Sequence, residues 1–188
     1  PEAVYTPPAN KEAAATVDLT DKTDHFEMVL TPSMQDSVAA GQIVDYVASF
    51  QMKNGVKPHD LGLSEEGSEV WPDFAIQNVK YVFTLPEGME ATTLPHDADV
   101  YSYNQTTREL TLNFDDFTNN NLDKALSLSF SAKMPDKQTV PGEYQITGKL
   151  YQGVKELIPL DTLTFEVTAS TNWEYIAVAD NIQCEVTN

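Results

Sequence analysis

Residues 126–133 read Leu126-Ser127-Leu128-Ser129-Phe130-Ser131-Ala132-Lys133, with apolar and polar side chains in alternation. Successive side chains of a β-strand point to opposite faces of the sheet, so this period of two separates an apolar face from a serine face. Such a stretch is typical of a strand with one buried and one solvated face. It predicts an antiparallel sheet, because antiparallel sheets commonly face water on one side.

The same alternation recurs along the chain, between short turns rich in proline, glycine and asparagine. A second long example follows Gly41 and ends at Asn54-Gly55, a pair that favours a turn. No window of comparable length carries the 3.6-residue apolar repeat of an amphipathic helix. The apolar positions of the further predicted strands are Phe26, Met28 and Leu30; Val44, Tyr46, Ala48, Phe50 and Met52; Val79, Tyr81, Phe83 and Leu85; Tyr101 and Tyr103; Leu110, Leu112 and Phe114; Tyr144, Ile146, Gly148 and Leu150; and Leu163, Phe165 and Val167.

About eight half-buried strands predict an all-β fold. Two antiparallel sheets packed face to face would bury their apolar rows, and the strand number and spacing suit an immunoglobulin-like antiparallel β-sandwich of about eight strands. A jelly roll and an open barrel are the structural alternatives. The residues predicted to form the core are Tyr46, Phe50, Phe83, Leu112, Phe130, Ile146 and Phe165.

The domain organisation follows from the same pattern. Residues 1–24 are rich in Pro, Ala, Thr and Asp and are interpreted as a linker-like segment. Residues 25–168 are predicted to be the immunoglobulin-like sandwich. Residues 169–188, which include Trp173 and Tyr175, are expected to add an edge strand or to begin a C-terminal linker.

Charge and composition exclude several classes of function. The formal net charge is −18, with 29 acidic and 11 basic residues, so nucleic acid is not expected as a partner. No stretch approaches the roughly 20 apolar residues that span a bilayer, so no membrane insertion by this chain is expected. Cys184 is the single cysteine, so no internal disulfide supports the fold.

The pattern of reactive residues predicts that the domain is not an enzyme. The three histidines, His25, His59 and His96, have no metal-ligand spacing, and neither a glycine-rich phosphate loop nor a nucleophile elbow occurs. One face of each predicted strand carries the apolar residues of the core, and the other face carries mostly short polar side chains. This leaves little room for a cluster of catalytic residues. A hydrolytic domain is therefore the least favoured class of function, and no cofactor is expected other than a calcium ion.

Calcium is the metal that the sequence could bind, because hard cations prefer several oxygen ligands. Two acidic turns offer such oxygens, and neither follows the EF-hand pattern. The alternative is that Asp and Asn populate turns because their side chains cap local backbone groups. The candidate ligands are Asp97, Asp99, Asp115, Asp116 and Asp123.

The candidate ligand-binding residue is Trp71, in the polar segment of residues 56–75 that no strand pattern explains. Long loops commonly carry function, and tryptophan supplies much of the energy of many interfaces. The alternative is that Trp71 plugs the space beneath this loop. Tyr101 and Tyr103 could form a sugar platform, although they share the phase that packs against Leu110 and Leu112.

Four stretches carry a resemblance to a known family: Gly41-Gln42-Ile43-Val44-Asp45-Tyr46, the Leu85-Pro86-Glu87-Gly88 strand ending, residues 126–133, and Pro141-Gly142-Glu143-Tyr144. Their order resembles the immunoglobulin-like repeat domains of bacterial, Gram-positive-type cell-surface proteins and adhesins. The resemblance implies a non-catalytic adhesion or spacer module, extracellular or attached to the cell wall, with a protein or glycan ligand at a surface. The alternative is a carbohydrate-binding module attached to an extracellular enzyme or scaffold, which would show an exposed row of aromatic residues.

Overall fold

The computed structural model describes residues 13–34, 37–94, 97, 99–136 and 142–168. Helical residues in these ranges are confined to three 3-10 turns, Thr23–His25, Pro58–Leu61 and Asn119–Asn121. The strands are β1 (Ala15–Thr16), β2 (Phe26–Pro32), β3 (Ser37–Ala39), β4 (Ile43–Met52), β5 (Phe74–Ile76), β6 (Val79–Thr84), β7 (Glu90–Thr93), β8 (Tyr101–Asn104), β9 (Glu109–Asn113), β10 (Phe117–Thr118), β11 (Leu126–Lys133), β12 (Gly142–Gln152) and β13 (Lys155–Thr168).

The strands form two large sheets and a small one. The first large sheet has the order β2-β4-β11-β7, the second has the order β3-β13-β12-β6-β9-β8, and β1-β5-β10 make the third. The predicted all-β sandwich is confirmed. The described residues hold more strands than the eight expected, because the additional strands, such as β3 and β10, are too short to show alternation in the sequence.

The core lies between the inner faces of the two large sheets. All seven residues predicted to form it are buried, with exposed fractions of 3% or less. Tyr46 on β4 lies opposite Phe130 on β11, and their rings stack at 5.0 Å. The strand phases that the alternation predicted are therefore confirmed at these positions.

The β12–β13 hairpin is longer than the sequence indicated. The predicted last strand around Phe165 begins eight residues before Leu163, at Lys155. Its first half was missed because two shifts in the register against β12 interrupt the alternation. Gly148 on β12 lies beneath the ring of Phe83, where an added Cβ would stand 2.6 Å from the nearest ring carbon.

The structure corrects the linker interpretation for residues 13–24. Strand β1 pairs in parallel with β5, and Val17 and Leu19 are buried in the core. The side chain of Gln152 holds this segment, accepting from Leu19 N at 2.8 Å and donating to Val17 O at 3.0 Å. Two apolar anchors in a short polar stretch leave no periodic signal. Residues 1–12 and 169–188 lie outside the described residues.

One side of the sandwich is built by a chain that changes sheets. Strand β2 pairs with β4 in the four-stranded sheet, whereas β3 pairs in parallel with β13 in the six-stranded sheet. The lower part of β13, residues 155–165, has β12 as its sole ladder partner among the described strands. The edges of β2 and of this part of β13 therefore face each other across the side of the sandwich.

No helix in the described ranges has the length and apolar character needed to cross a membrane.

Candidate binding surface

The polar segment predicted between residues 56 and 75 is a loop as far as Asp73, because β5 begins at Phe74, and the loop is fastened at its start. Gly55, with a φ of +88°, turns the chain after β4. A 3-10 turn then begins at Pro58, where the carboxylate of Asp60 accepts from Lys57 N at 2.7 Å. Pro58 and Leu61 are buried, so this turn packs into the core. The loop therefore leaves the sandwich in a defined direction.

The second half of the loop is fastened as well. Lys57 Nζ forms an ion pair with Glu69 Oε1 at 2.8 Å, and this hydrogen bond and the lysine charge lower the pKa of Glu69. The side chain of Asn119 donates to Pro72 O at 2.7 Å and accepts from Phe74 N at 3.0 Å. The chain is consequently held on both sides of residues 70 and 71.

Trp71 lies at the boundary between core and solvent. Its ring centroid is 5.5 Å from that of Phe74, which is itself buried, and Trp71 as a whole is half-buried. The preceding Val70 is 78% exposed. Sequence reasoning singled out Trp71 but missed Val70, because one valine in a loop carries no pattern. We call Val70 and Trp71 the Trp71 surface. Its exposed acidic neighbours in the chain are Glu65, Glu66, Glu69 and Asp73.

The predicted calcium ligands are placed at turns. Asn113 Nδ2 donates to Asp99 O at 3.0 Å, so the two acidic turns are neighbours at the open end of the β8–β9 hairpin. Asp97 Oδ1 accepts from Asp99 N at 2.9 Å, and Asp116 Oδ2 accepts from Gln77 Nε2 at 2.8 Å. Asp115 and Asp123 are exposed. Within the described ranges, no three His, Cys, Asp or Glu side chains form a group that could hold a metal ion. Calcium binding stays a prediction.

The other sequence candidates are placed as follows. His25 Nε2 lies 3.6 Å from the carboxylate of Asp24, its neighbour in the chain, and His96 lies outside the described residues. Tyr101 and Tyr103 pack against the core opposite Leu112 and Leu110, as the hairpin phase predicted. The exposed large hydrophobic residues of the described ranges include no aromatic residue.

The comparisons with known proteins give matches among solved structures. No family model matches the chain. No curated protein matches it. Among solved structures, the chain is similar to the N-terminal domain of the Streptococcus gordonii adhesin Sgo0707, with 13% identity over 75% of this chain and 32% of that chain and a TM-score of 0.45. It is also similar to BcpA, the major pilin subunit of Bacillus cereus, with 10% identity over 76% of this chain and 41% of that chain and a TM-score of 0.43.

A third similar structure is the collagen-binding domain from a Staphylococcus aureus adhesin, with 9% identity over 76% of this chain and 95% of that chain and a TM-score of 0.36. The chain spans about a third of the length of the Sgo0707 chain. These solved structures are adhesin and pilin domains of Gram-positive bacteria, the class that the sequence resembles. At these identities and scores the similarity is partial and assigns no residue of this chain.

Proposed function

We propose that this domain is a non-catalytic adhesion or spacer module of a secreted or cell-surface protein, and that it contacts its ligand through the Trp71 surface. The observation that carries the proposal is an apolar foothold, Val70 and Trp71, on a loop fastened by the Lys57–Glu69 ion pair and by Asn119. A loop that is ordered before binding loses little conformational entropy when the ligand arrives.

The chemistry of this surface favours a ligand with both apolar and polar or cationic groups. A half-buried tryptophan beside an exposed valine offers apolar area that water does not solvate well. The surrounding carboxylates favour cations and hydroxyl donors and repel phosphates. A protein segment or a glycan of mixed polarity fits both requirements.

A role without catalysis is supported by how the strands use their side chains. The inner residues pack in the core, and none of the buried residues in the described ranges is charged. The outward residues of β11 are Ser127, Ser129, Ser131 and Lys133, of which Ser131 donates to Asp45 on β4. Such a surface suits a stable module that places contacts on its loops.

The test is binding of the domain to immobilised collagen and to a glycan panel, with three single variants compared. Val70→Ser and Trp71→Ala should weaken binding to whichever probe is recognised by about tenfold or more, as expected for residues at the centre of an interface. Val154→Ser is the matched control, because Val154 is 97% exposed in the β12–β13 turn.

Three outcomes decide between the alternatives. Equal binding by Val70→Ser and the parent domain would place the ligand elsewhere. A Trp71→Ala variant that binds normally but melts earlier would show that the indole serves only to cover Phe74. A parent domain that binds neither collagen nor any glycan contradicts the adhesive role and leaves the spacer role.

A further inference from the structure

Among the strands that the structure describes, β4 is the single ladder partner of β2, so the other side of β2 forms an edge of the four-stranded sheet. Its backbone bonds to β4 through the odd-numbered residues, as shown at the two ends of the ladder, where Lys53 N donates to His25 O and Ser33 N donates to Asp45 O. In an antiparallel ladder, alternate residues direct their N–H and C=O groups toward the partner strand. The N–H and C=O groups of Met28 and Leu30 therefore point away from β4, toward the free edge.

This free edge borders an apolar groove on the side of the sandwich. Two adjoining cavities, of about 400 and 110 Å³, are lined by β2 on one side and by residues 158–163 of β13 on the other. Met28, Leu30, Leu160 and Leu163 are half-buried there and pack against the buried core. The described part of the chain therefore leaves the sandwich incompletely covered between these two edges.

The opposite wall of the groove is protected against strand pairing, whereas β2 is not. In β13, Pro159 has no N–H to donate, and the register against β12 shifts after Ile146 and again after Leu150. Proline and bulges are the devices by which edge strands avoid pairing with other chains. Strand β2 carries a proline only at its last position, Pro32, so an added strand would pair with β2 and not with β13.

The charged residues around the groove indicate which kind of segment would bind there. Glu27 and Asp161 are exposed at the groove, where Lys53 is the single basic lining residue and also donates to Asp24 O. The whole chain carries −18, so a second copy would be repelled and a basic segment attracted.

We propose that β2 accepts an extended, basic peptide segment of a partner protein as an added strand. Residues of the segment opposite Met28 and Leu30 place apolar side chains in the groove, against Leu160 and Leu163. The intervening residues are basic and face Glu27 and solvent. The mode is strand addition at a sheet edge, in which the backbone supplies hydrogen bonds and alternate pockets supply selectivity. We call the groove between β2 and residues 158–163 of β13 the strand-acceptor groove. It shares no residue with the Trp71 surface, so each proposal can be tested without the other.

The probe is the peptide acetyl-Lys-Val-Lys-Val-Lys-Val-Lys-amide, and the readout is amide hydrogen exchange of β2 by nuclear magnetic resonance. At about 1 mM peptide we expect exchange at Met28 and Leu30 to slow by about tenfold or more, because both amides become hydrogen-bonded. The reordered peptide Lys-Lys-Lys-Lys-Val-Val-Val, blocked in the same way, has equal charge and composition but no alternation. Equal protection by the two peptides, or no protection by the first, overturns the proposal.

Three variants separate edge pairing from charge attraction. Met28→Pro removes one edge-facing N–H at a position where proline leaves the β2–β4 ladder intact, and it should abolish protection of Leu30. Leu160→Glu and Thr164→Glu add the same charge to β13, in the groove and on the exposed outer face respectively. Leu160→Glu should lose peptide binding although it adds an attractive charge, whereas Thr164→Glu should retain it. Loss in both, or in neither, contradicts the groove.

Amide hydrogen exchange measured without peptide tests two other occupants of the groove, a second copy of the chain and the chain's own C-terminal residues. Protection of Met28 and Leu30 that rises with protein concentration would identify a second copy as the occupant. Protection that is present in the whole chain and disappears when residues 169–188 are removed would identify the chain's own terminus. Either result overturns the assignment to a partner peptide.

Discussion

Two buried tyrosines differ in a single hydrogen bond. Tyr46 and Tyr81 are both fully buried, and Tyr81 donates its hydroxyl to Ser49 O at 2.5 Å. The hydroxyl of Tyr46 has no partner among the described residues. A buried polar group without a partner keeps its desolvation cost, whereas a bonded one recovers it. The two side chains therefore contribute differently to stability although their burial is alike.

Replacing each tyrosine by phenylalanine tests this difference. Tyr81→Phe should lower the free energy of unfolding by about 1 kcal/mol, because it removes the side-chain hydrogen bond to the Ser49 carbonyl. Tyr46→Phe should be neutral or stabilising, since it removes an unbonded hydroxyl and keeps the ring stacked on Phe130. Urea unfolding of both variants measures the two values. Equal losses in the two would show that Tyr46 has a partner in solution.

The same residues predict sensitivity to alkaline pH. Burial raises the pKa of Tyr46 and of Tyr81 well above the ordinary value of a tyrosine. The folded state thus holds these protons more tightly than the unfolded state, so the stabilisation is complete below the unfolded pKa of about 10 and is lost as pH rises beyond it. The free energy of unfolding is measured between about pH 8 and about pH 11. It should fall above about pH 10, and less steeply in Tyr46→Phe.

At the scale of the elements, the contact between β12 and β6 depends on a missing side chain. The Phe83 ring lies on Gly148, in a strand where glycine is otherwise unfavourable. An aromatic ring that covers a glycine in this way recovers apolar burial that the glycine alone cannot provide. The glycine of β12 and the phenylalanine of β6 therefore act as a pair.

A double-mutant cycle tests this pairing. Gly148→Ala should destabilise the domain by about 1–3 kcal/mol, because the new Cβ overlaps the Phe83 ring. In a Phe83→Leu background the same change should cost less, since the smaller side chain can move aside, and the coupling should exceed about 0.5 kcal/mol. Additive effects would mean that the ring does not rest on the glycine in solution.

At the scale of the whole molecule, the acidic charge opposes the compact state. With a net charge of −18, mutual repulsion of surface carboxylates should be relieved by screening. The melting temperature is therefore expected to rise as NaCl is increased toward about 0.5 M, where the Debye length is only a few ångströms. A melting temperature that falls with salt would show that attractive ion pairs, such as Lys57–Glu69, outweigh the repulsion.

Calcium is distinguished from general screening by the same experiment. A site between the Asp97–Asp99 and Asp115–Asp123 turns requires CaCl₂ to raise the melting temperature more than NaCl of equal ionic strength, because specific binding stabilises by mass action. Asp99→Asn should remove that excess. Identical curves for the two salts contradict the calcium prediction.

Local sequence patterns are sufficient to predict the main strands and the faces that they bury. Tyr46, Phe83, Phe130 and Phe165 were assigned to the core from alternation alone, because the direction of a side chain on a strand follows from local backbone geometry. Trp71 was likewise singled out by its position outside any strand. These features need no knowledge of which strands are neighbours.

Strand pairing and the open edges of the sheets follow from long-range packing, which no local pattern reports. The burial of Val17 and Leu19, the position of Trp71 against Phe74, and the groove beside β2 all depend on contacts between residues far apart in the chain. A period of two specifies two faces of a strand but no partner, and one or two anchors in a polar stretch are too few to show a period. Strand pairing and groove formation are settled when the two sheets pack, which is where the proposed sites of this protein arise.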